Sequence, residues 1–230
     1  MSNLTAVNFG AGMIKVFPVI HHLNDSLALE EAQVAYECGA DGVFLISHHN
    51  KDKDLPFIGQ TIKSYGWNNN NFFVGLNLLS TPACEAFNIV KDSSLDAVWL
   101  DNPGITSNKI TMAGSQLIEL SQQYPHVQVF ASVAFKYQPI ESDPKEAAIR
   151  VRQFGWIPTT SGSGTGSAPE VSKLQTMFDK TLAIASGMTP ENVQQFMPYL
   201  SHILVATGVS QDEYRIDYEK LSRFVGIVKS

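Results

Sequence analysis

The chain of 230 residues has little of what marks oxidising or membrane environments. Its two cysteines, Cys38 and Cys84, are far apart and lack metal-ligand spacing, so we expect reduced, packed thiols in a cytoplasmic protein. No apolar run approaches the roughly 18 residues that a membrane span needs, so none is expected. The first residues, "MSNLTAVNFGAG", have neither the basic nor the apolar region of a secretory signal.

Charge is also sparse, with 17% charged residues and a formal net charge of −6. Because the sequence has no long basic run, we do not expect a nucleic-acid partner. Hydrophobic residues, in contrast, make up 44% of the chain. This composition predicts a globular protein with a large core and argues against a disordered chain.

Eight short apolar runs recur along the chain, and such runs are typical of parallel β-strands covered by helices. They are rich in Val, Ile, Phe or Leu. The runs occupy residues 14–20, 42–47, 72–79, 97–101, 127–135, 156–162, 181–187 and 202–208.

Helical patterns separate these runs. "SDPKEAAIRVRQFG" has Asp143 as its predicted N-cap with Pro144 in the first turn, and "TPACEAFNIVKDS" repeats this with Thr81 and Pro82. "TPENVQQFMPYL" predicts a helix between the last two strands. Eight strands and eight helices at roughly 29 residues per unit predict a single (β/α)8 TIM barrel over residues 1–230. The alternative is an open doubly wound sheet, which usually has fewer strands.

Polar side chains follow several of the predicted strands. Because the chemistry of such barrels collects at the C-terminal strand ends, these residues are the catalytic candidates. They are His21, His48, Asn77, Asp101 and Lys136. Two of them belong to His-His pairs, and neighbouring residues on an extended segment point in opposite directions. We therefore expect at most one histidine of each pair to face the pocket.

Each of these side chain types suits more than one role. The histidines suit a proton-transfer pair, a metal site with Asp101, or polar loop residues that face water. Lys136 suits contact with an anion, a solvated loop position, or a Schiff base if its pKa is lowered. Asp101 suits a general base, a metal or ribose ligand, or a cap of the turn "DNPG". No cofactor and no bound metal is expected.

Glycine and hydroxyl residues cluster in "TTSGSGTGSAPEV" (159–171), which follows the sixth strand. Similar segments follow the seventh and eighth strands. Glycine allows successive N–H groups to converge on an anion, and TIM barrels often hold phosphate in this region. The alternative is that the glycines only permit tight turns. The predicted phosphate-binding residues are Ser161, Gly162, Gly164, Thr165, Gly166, Ser186, Gly187, Thr207 and Gly208.

Six segments, spread over nearly the whole chain, carry a family resemblance. They are "VFPVIHHL" (16–23), "ECGADGVFLIS" (37–47), "VGLNLLSTPACEAFNIVKDSSLDAVWLD" (74–101), "VFASVAFKYQPI" (129–140), "TTSGSGTGSAPEVSKL" (159–174) and "ASGMTPENVQQFMPYLSHILVATGVS" (185–210). They resemble the BtpA family, (β/α)8 proteins named for a member needed in thylakoid biogenesis and photosystem I accumulation. The resemblance implies a barrel of the ribulose-phosphate-binding type.

The chain also departs from the family pattern. Ser132 and Ala134 stand in the fifth strand where the family has an acid and a histidine, and "SHHN" replaces an acidic end of the second strand. The leading hypothesis is an enzyme acting on a small phosphorylated sugar or nucleotide-like metabolite by isomerisation, lyase chemistry or glycosyl transfer. The alternatives are a non-catalytic barrel acting in assembly or regulation of a larger complex, and a metal-dependent hydrolase. A homo-oligomer is compatible with a barrel of this size.

Overall fold

The computed structural model describes residues 13–49 and 51–230, and its eight strands form one closed barrel. The strands are β1 (Lys15–His21), β2 (Gly42–Ile46), β3 (Phe73–Asn77), β4 (Ala97–Leu100), β5 (Gln128–Ser132), β6 (Ile157–Thr160), β7 (Ala183–Ile184) and β8 (His202–Val205). The segment read for a secretory signal, residues 1–12, and Asn50 of "SHHN" lie outside the described residues.

Every strand is parallel to its neighbours in the ring. β1 pairs with β2 on one side and with β8 on the other, where Val16 lies opposite Ile203. Continuous apolar runs suit this arrangement because one strand face contacts the barrel interior and the other contacts helices. The predicted (β/α)8 barrel is confirmed, and the alternative of an open sheet is wrong.

Helices follow most strands on the outside of the barrel. They are α1 (Asp25–Glu37), α2 (Leu55–Ser64), the short α3 (Trp67–Asn70), α4 (Ala83–Asp92), α5 (Met112–Gln123), α6 (Pro144–Gln153), α7 (Val171–Met177) and α8 (Tyr218–Lys229). The predicted start of α6 is confirmed, because the Asp143 side chain accepts a hydrogen bond from the Glu146 N–H at 3.0 Å.

The helix predicted in "TPENVQQFMPYL" is wrong. Two 3₁₀ turns, Val193–Gln195 and Met197–Tyr199, occupy this connection between β7 and β8. The Asn192 side chain donates to the Gly187 carbonyl at 2.7 Å, and such bonds compete with helical hydrogen bonds. Pro198 has no N–H to donate within a helix.

The predicted N-cap role of Thr81 is wrong as well. Pro82 occupies the N-cap of α4 and makes no side-chain cap. Thr81 Oγ1 instead donates to Oδ2 of the buried Asp52 at 3.0 Å, and Ser80 donates to the same oxygen through its N–H at 2.8 Å. Asp52 thereby joins the connection after β2 to the one after β3, a long-range contact that no local pattern encodes.

Aromatic side chains fill the barrel interior below its C-terminal end. Phe17, Phe44 and Phe130 are buried and pack edge to face, with ring centroids 5.0 to 6.2 Å apart. Val19 and Ile46, two residues further along their strands, line a cavity above this layer. The aromatic layer is therefore the floor of the site described below.

The described residues include no helix with the length and apolar composition that crossing a membrane requires. Cys38 and Cys84 carry free thiols, and Cys38 is buried at the end of α1. Burial raises the pKa of the Cys38 thiol to about 11. At neutral pH this thiol is protonated and packs as a small apolar side chain.

Candidate functional site

A cavity of about 300 Å³ lies at the C-terminal end of the barrel. Its walls come from the last residues of the strands and from the connections that follow them. We call these connections loop 5 (133–143), loop 6 (161–170), loop 7 (185–192) and loop 8 (206–217). The volume is in the range of small-molecule sites, since such cavities measure about 300 to 1,000 Å³.

All five catalytic candidates line this cavity. They are His21, His48, Asn77, Asp101 and Lys136. Barrel closure brings these distant residues together because the C-terminal ends of all eight strands meet at one rim.

The two histidine pairs each contribute one ring to the cavity. The rings of His21 and His48 meet edge to face with centroids 4.9 Å apart. His22 turns away, with Nε2 3.0 Å from Asp25 Oδ1, and His49 Nε2 lies 3.0 Å from the Tyr214 hydroxyl. The structure thus shows the alternation that the sequence predicted.

Burial lowers the pKa of His21, and the neighbouring His48 lowers it further. Its ordinary value of 6.5 is already below neutral, so the His21 imidazole is uncharged at pH 7. A neutral imidazole both accepts and donates a proton, which is the requirement for acid–base chemistry.

Asp101 is the acidic group of the cavity, and its pKa shifts in the opposite direction to that of His21. Burial raises the pKa of its carboxyl group, while a hydrogen bond from Asn77 Nδ2 to Asp101 Oδ1 at 3.1 Å acts in the other direction. The shift moves proton exchange of this group toward neutral pH. Asn77 holds the carboxyl group in a fixed orientation toward the cavity.

Lys136 lies between the acid–base residues and the glycine loops. Burial lowers the pKa of its ammonium group, and Tyr137 and Asp101 act against that effect. Its Nζ donates to Thr165 Oγ1 in loop 6 at 3.4 Å. The cation therefore reaches the side of the cavity where the glycine loops lie.

Loop 5 has an unusual backbone around this lysine. Ala134 and Tyr137 have backbone φ values of 48° and 64°, which residues other than glycine rarely adopt. The Gln138 side chain holds the turn, because it accepts from the Phe135 N–H at 3.1 Å and donates to the Ser132 carbonyl at 3.1 Å. Gln138 is not among the residues predicted from the sequence, and no local pattern marks it.

Loops 6, 7 and 8 pack against one another through their backbones. A Cβ atom on Gly187 would lie 2.2 Å from the backbone nitrogen of Ala168, and one on Gly208 would lie 1.9 Å from the Met188 carbonyl oxygen. Only glycine fits at these two contacts. The three predicted glycine segments are therefore adjacent.

Six of the nine predicted phosphate-binding residues line the cavity. They are Thr165, Gly166, Ser186, Gly187, Thr207 and Gly208. The backbone N–H groups of the three glycines in this set donate to no protein acceptor in residues 13–49 and 51–230. Unpaired N–H groups of residues that line a cavity are available to donate hydrogen bonds to an anion. Helix α7 begins only at Val171, so these donors belong to the loops rather than to a helix terminus.

The other three predicted phosphate-binding residues, Ser161, Gly162 and Gly164, do not line the cavity. Ser161 is fully buried, and its Oγ accepts from the Lys136 N–H at 2.7 Å. The Gly162 N–H donates to Ser186 Oγ at 3.0 Å. Ser161 and Gly162 thus contact the loops from behind the cavity.

An apolar wall, which was not predicted from the sequence, completes the site. Leu79, Trp99 and Phe135 line the cavity on the side of β3, β4 and loop 5. Trp99 precedes Asp101 by two positions, so the period of a strand could have placed both on one face. Its indole N–H donates to the buried Ser132 Oγ at 3.0 Å, which accounts for the serine in the fifth strand.

The described part of the chain brings together no group of three His, Cys, Asp or Glu side chains that could hold a metal ion. The two cavity histidines and Asp101 thus do not form such a group in this structure.

The similarity of this chain to known proteins lies in its structure. No protein-family model matches the chain, and no curated protein sequence matches it, so the BtpA resemblance is not confirmed. The structure is similar to phosphoribosyl anthranilate isomerase from Thermotoga maritima, with a TM-score of 0.67, 17% identity and coverage of 94% of this chain and 99% of that one.

Two further solved structures have the same architecture. One is a phosphoribosyl anthranilate isomerase in complex with reduced 1-(o-carboxyphenylamino)-1-deoxyribulose 5-phosphate (TM-score 0.65, 16% identity, 94% and 99% coverage). Another is a 4-hydroxy-2-oxoglutarate/2-dehydro-3-deoxyphosphogluconate aldolase (TM-score 0.61, 13% identity, 93% and 94% coverage). At these identities the likeness shows that the chain has the (β/α)8 fold of these enzymes.

Proposed function

We propose that this protein is an enzyme that binds a small phosphorylated sugar or nucleotide-like metabolite in the barrel mouth. The observation that carries the proposal is that three residues lining the cavity, Gly166, Gly187 and Gly208, have backbone N–H groups with no protein acceptor among the described residues. Loops 6, 7 and 8 hold the phosphate. The acid–base residues surround the reacting end.

The phosphate assignment follows from the charge and the donors on this side of the cavity. Converging backbone N–H groups form an anion-binding concavity, and hydrogen bonds to a charged acceptor are the stronger kind. Lys136 adds a positive charge that reaches loop 6. The solved neighbours support the assignment, since one was determined with a ribulose 5-phosphate compound.

The reaction that we propose is proton transfer at the carbon skeleton, as in isomerisation. Burial raises the pKa of the Asp101 carboxyl group, which moves its proton exchange toward neutral pH, and burial lowers the pKa of His21, which keeps this imidazole uncharged and able to accept a proton at pH 7. Lyase cleavage and glycosyl transfer use acid–base groups of the same kind. The apolar wall of Trp99 and Phe135 favours a substrate with an apolar face on the side away from its phosphate.

Calorimetry with matched ligands tests the phosphate site. We expect inorganic phosphate and ribose 5-phosphate to bind and free ribose to bind much more weakly. Lys136→Met should weaken ribose 5-phosphate binding roughly tenfold or more, because a hydrogen bond to a charged group contributes about 1.5–3 kcal/mol. The matched control is Lys145→Met, since this lysine is exposed on α6.

Two results would contradict the proposal. One is equal binding of ribose and ribose 5-phosphate, and the other is no binding of any anion by the wild-type protein. Addition of the ribose phosphate to crystals gives an independent check, because the phosphate should lie against Gly187 and Gly208.

A non-catalytic, BtpA-like barrel that acts in assembly or regulation of a larger complex is the second candidate. Ser132 and Ala134 favour it, because they replace an acid and a histidine of the family pattern and neither side chain lines the cavity. An open cavity with acid–base residues is not needed by a scaffold, so we rank it second. Under this hypothesis, Asp101→Asn and His21→Gln leave the protein's cellular role intact.

A further inference from the structure

Lys173 is a partly buried cation on α7 that the proposed chemistry does not use. Its Nζ donates to the carbonyl oxygens of Ala134 at 2.6 Å and Ser161 at 2.7 Å. It forms no salt bridge with any described carboxylate. Two carbonyl oxygens from different loops are therefore its main partners, and burial lowers the pKa of its ammonium group.

The first of these carbonyls belongs to the strained turn of loop 5. Ala134 has a φ of 48°, and the same carbonyl accepts a second hydrogen bond, from Thr160 Oγ1 at 3.0 Å. A backbone conformation of this kind persists only where surrounding contacts hold it. Lys173 and Thr160 supply those contacts.

The second carbonyl belongs to the residue that anchors Lys136. Ser161 accepts from the Lys136 N–H through Oγ at 2.7 Å while its carbonyl accepts from Lys173. The ammonium group of Lys173 thus fixes loop 5 on one side of Lys136 and loop 6 on the other.

Further hydrogen bonds link Ser161 and its neighbour Gly162 to the glycine loops. The Gly162 N–H donates to Ser186 Oγ at 3.0 Å, and Ser186 Oγ donates to the Ser167 carbonyl at 3.1 Å. Ser186 itself lines the cavity. A continuous set of hydrogen bonds therefore joins the Lys136 backbone to loops 6 and 7.

We propose that Lys173 is a positioning residue, which fixes loop 5 against loop 6 so that the Lys136 ammonium group stays in the cavity beside the anion-binding loops. Ser161 contributes to this positioning through its hydrogen bonds with Lys136 and Lys173, and it is not a phosphate ligand. The role of Lys136 in this inference rests on the proposed function. The placement of Lys136 is tested separately from anion binding.

The test compares Lys173→Met with Lys173→Arg. Lysine 13Cε–15Nζ signals are titrated by NMR, and the Lys136 signal is assigned with Lys136→Met. In Lys173→Met, we expect the Lys136 pKa to rise toward its ordinary value, because the released side chain gains solvent. We also expect about tenfold weaker binding of inorganic phosphate, since small displacements of a positioned group have large effects. Lys173→Arg keeps a cation with several donors, so its Lys136 pKa and its phosphate affinity should both be close to those of the wild type.

Two controls separate positioning from other effects. Ser161→Ala removes the acceptor of the Lys136 N–H without changing charge, so it should raise the Lys136 pKa in the same way. If Lys173→Met does not fold, Lys173→Gln takes its place, because it removes the ammonium group that donates to both carbonyls and keeps a polar side chain. Lys145→Met removes an exposed lysine and should change neither measurement.

An unchanged Lys136 pKa and an unchanged phosphate affinity in folded Lys173→Met, with only a lower melting temperature, would show a purely structural lysine and overturn the inference. If the wild-type protein binds no phosphate, the proposed function fails, and the titration of Lys136 alone still decides the positioning role.

Discussion

His202 makes the stability of the barrel depend on pH. It begins β8 and packs into the aromatic layer, with its ring 6.1 Å from that of Phe17 and 5.3 Å from that of Phe130. Burial lowers the pKa of His202 to about 4, the charge of Lys15 lowers it further, and Asp41 acts in the opposite direction. Protonation therefore places a charge against apolar rings.

The sign and size of the effect follow from linkage. The unfolded chain has the ordinary histidine pKa of 6.5, so it binds more protons than the folded state between pH 6.5 and about 4. Stability conferred by the neutral ring is complete above pH 6.5 and is lost as the pH falls. At 1.36 kcal/mol per pKa unit, the loss reaches about 2 kcal/mol at pH 5 and about 3 kcal/mol at pH 4. Because the His202 ring is partly exposed to solvent, these losses of stability are upper limits.

Urea unfolding at pH 7.5 and pH 5 measures the loss in the wild-type protein and in His202→Asn. The variant has no titrating group at this position, so it should lose up to about 2 kcal/mol less stability between the two pH values. The matched control is His126→Asn, because His126 is exposed, and its pH dependence should equal that of the wild type. The same pH dependence in His202→Asn as in the wild type would refute the reasoning.

Two further predictions concern the site. Gly187→Ala should abolish phosphate binding and lower the melting temperature, because its Cβ would lie 2.2 Å from a backbone nitrogen of loop 6 at a φ of 73°. Gly155→Ala has a similar φ of 76° with no atom within 4 Å, so a smaller loss of stability is expected there; an equal loss in both would refute the packing argument. Asn77→Ala removes a hydrogen bond that lowers the pKa of Asp101, so 13C NMR titration should show a still higher pKa, and a fall would contradict the assignment.

The fold could be predicted because its signals are local. Each strand is a short apolar run, and the helix start at Asp143 is marked by residues within four positions. The connection between β7 and β8 shows the limit of this approach. Its sequence resembles a helix, but Asn192 and Pro198 redirect its hydrogen bonds into 3₁₀ turns.

The five catalytic candidates could be placed near one another because parallel strands in a barrel end at one rim. In the glycine-rich segment, which residues face the cavity could not be predicted. Ser161 and Gly166 lie in the same glycine-rich segment, yet only Gly166 lines the cavity. Ser161 is occupied by contacts with Lys136 and Lys173, which are distant in the chain.

The sequence by itself determined the number of strands, their order and the rim where polar residues gather, since periodicity and strand ends depend on neighbouring residues. The tertiary structure decided which residues of the glycine-rich segment face the cavity and what holds the site residues in place. Gln138 joins loop 5 to the Asp101 carbonyl, and Lys173 and Asp52 also join separate segments, through hydrogen bonds that exist only after the barrel closes. Such contacts have no local pattern because their partners are brought together by folding.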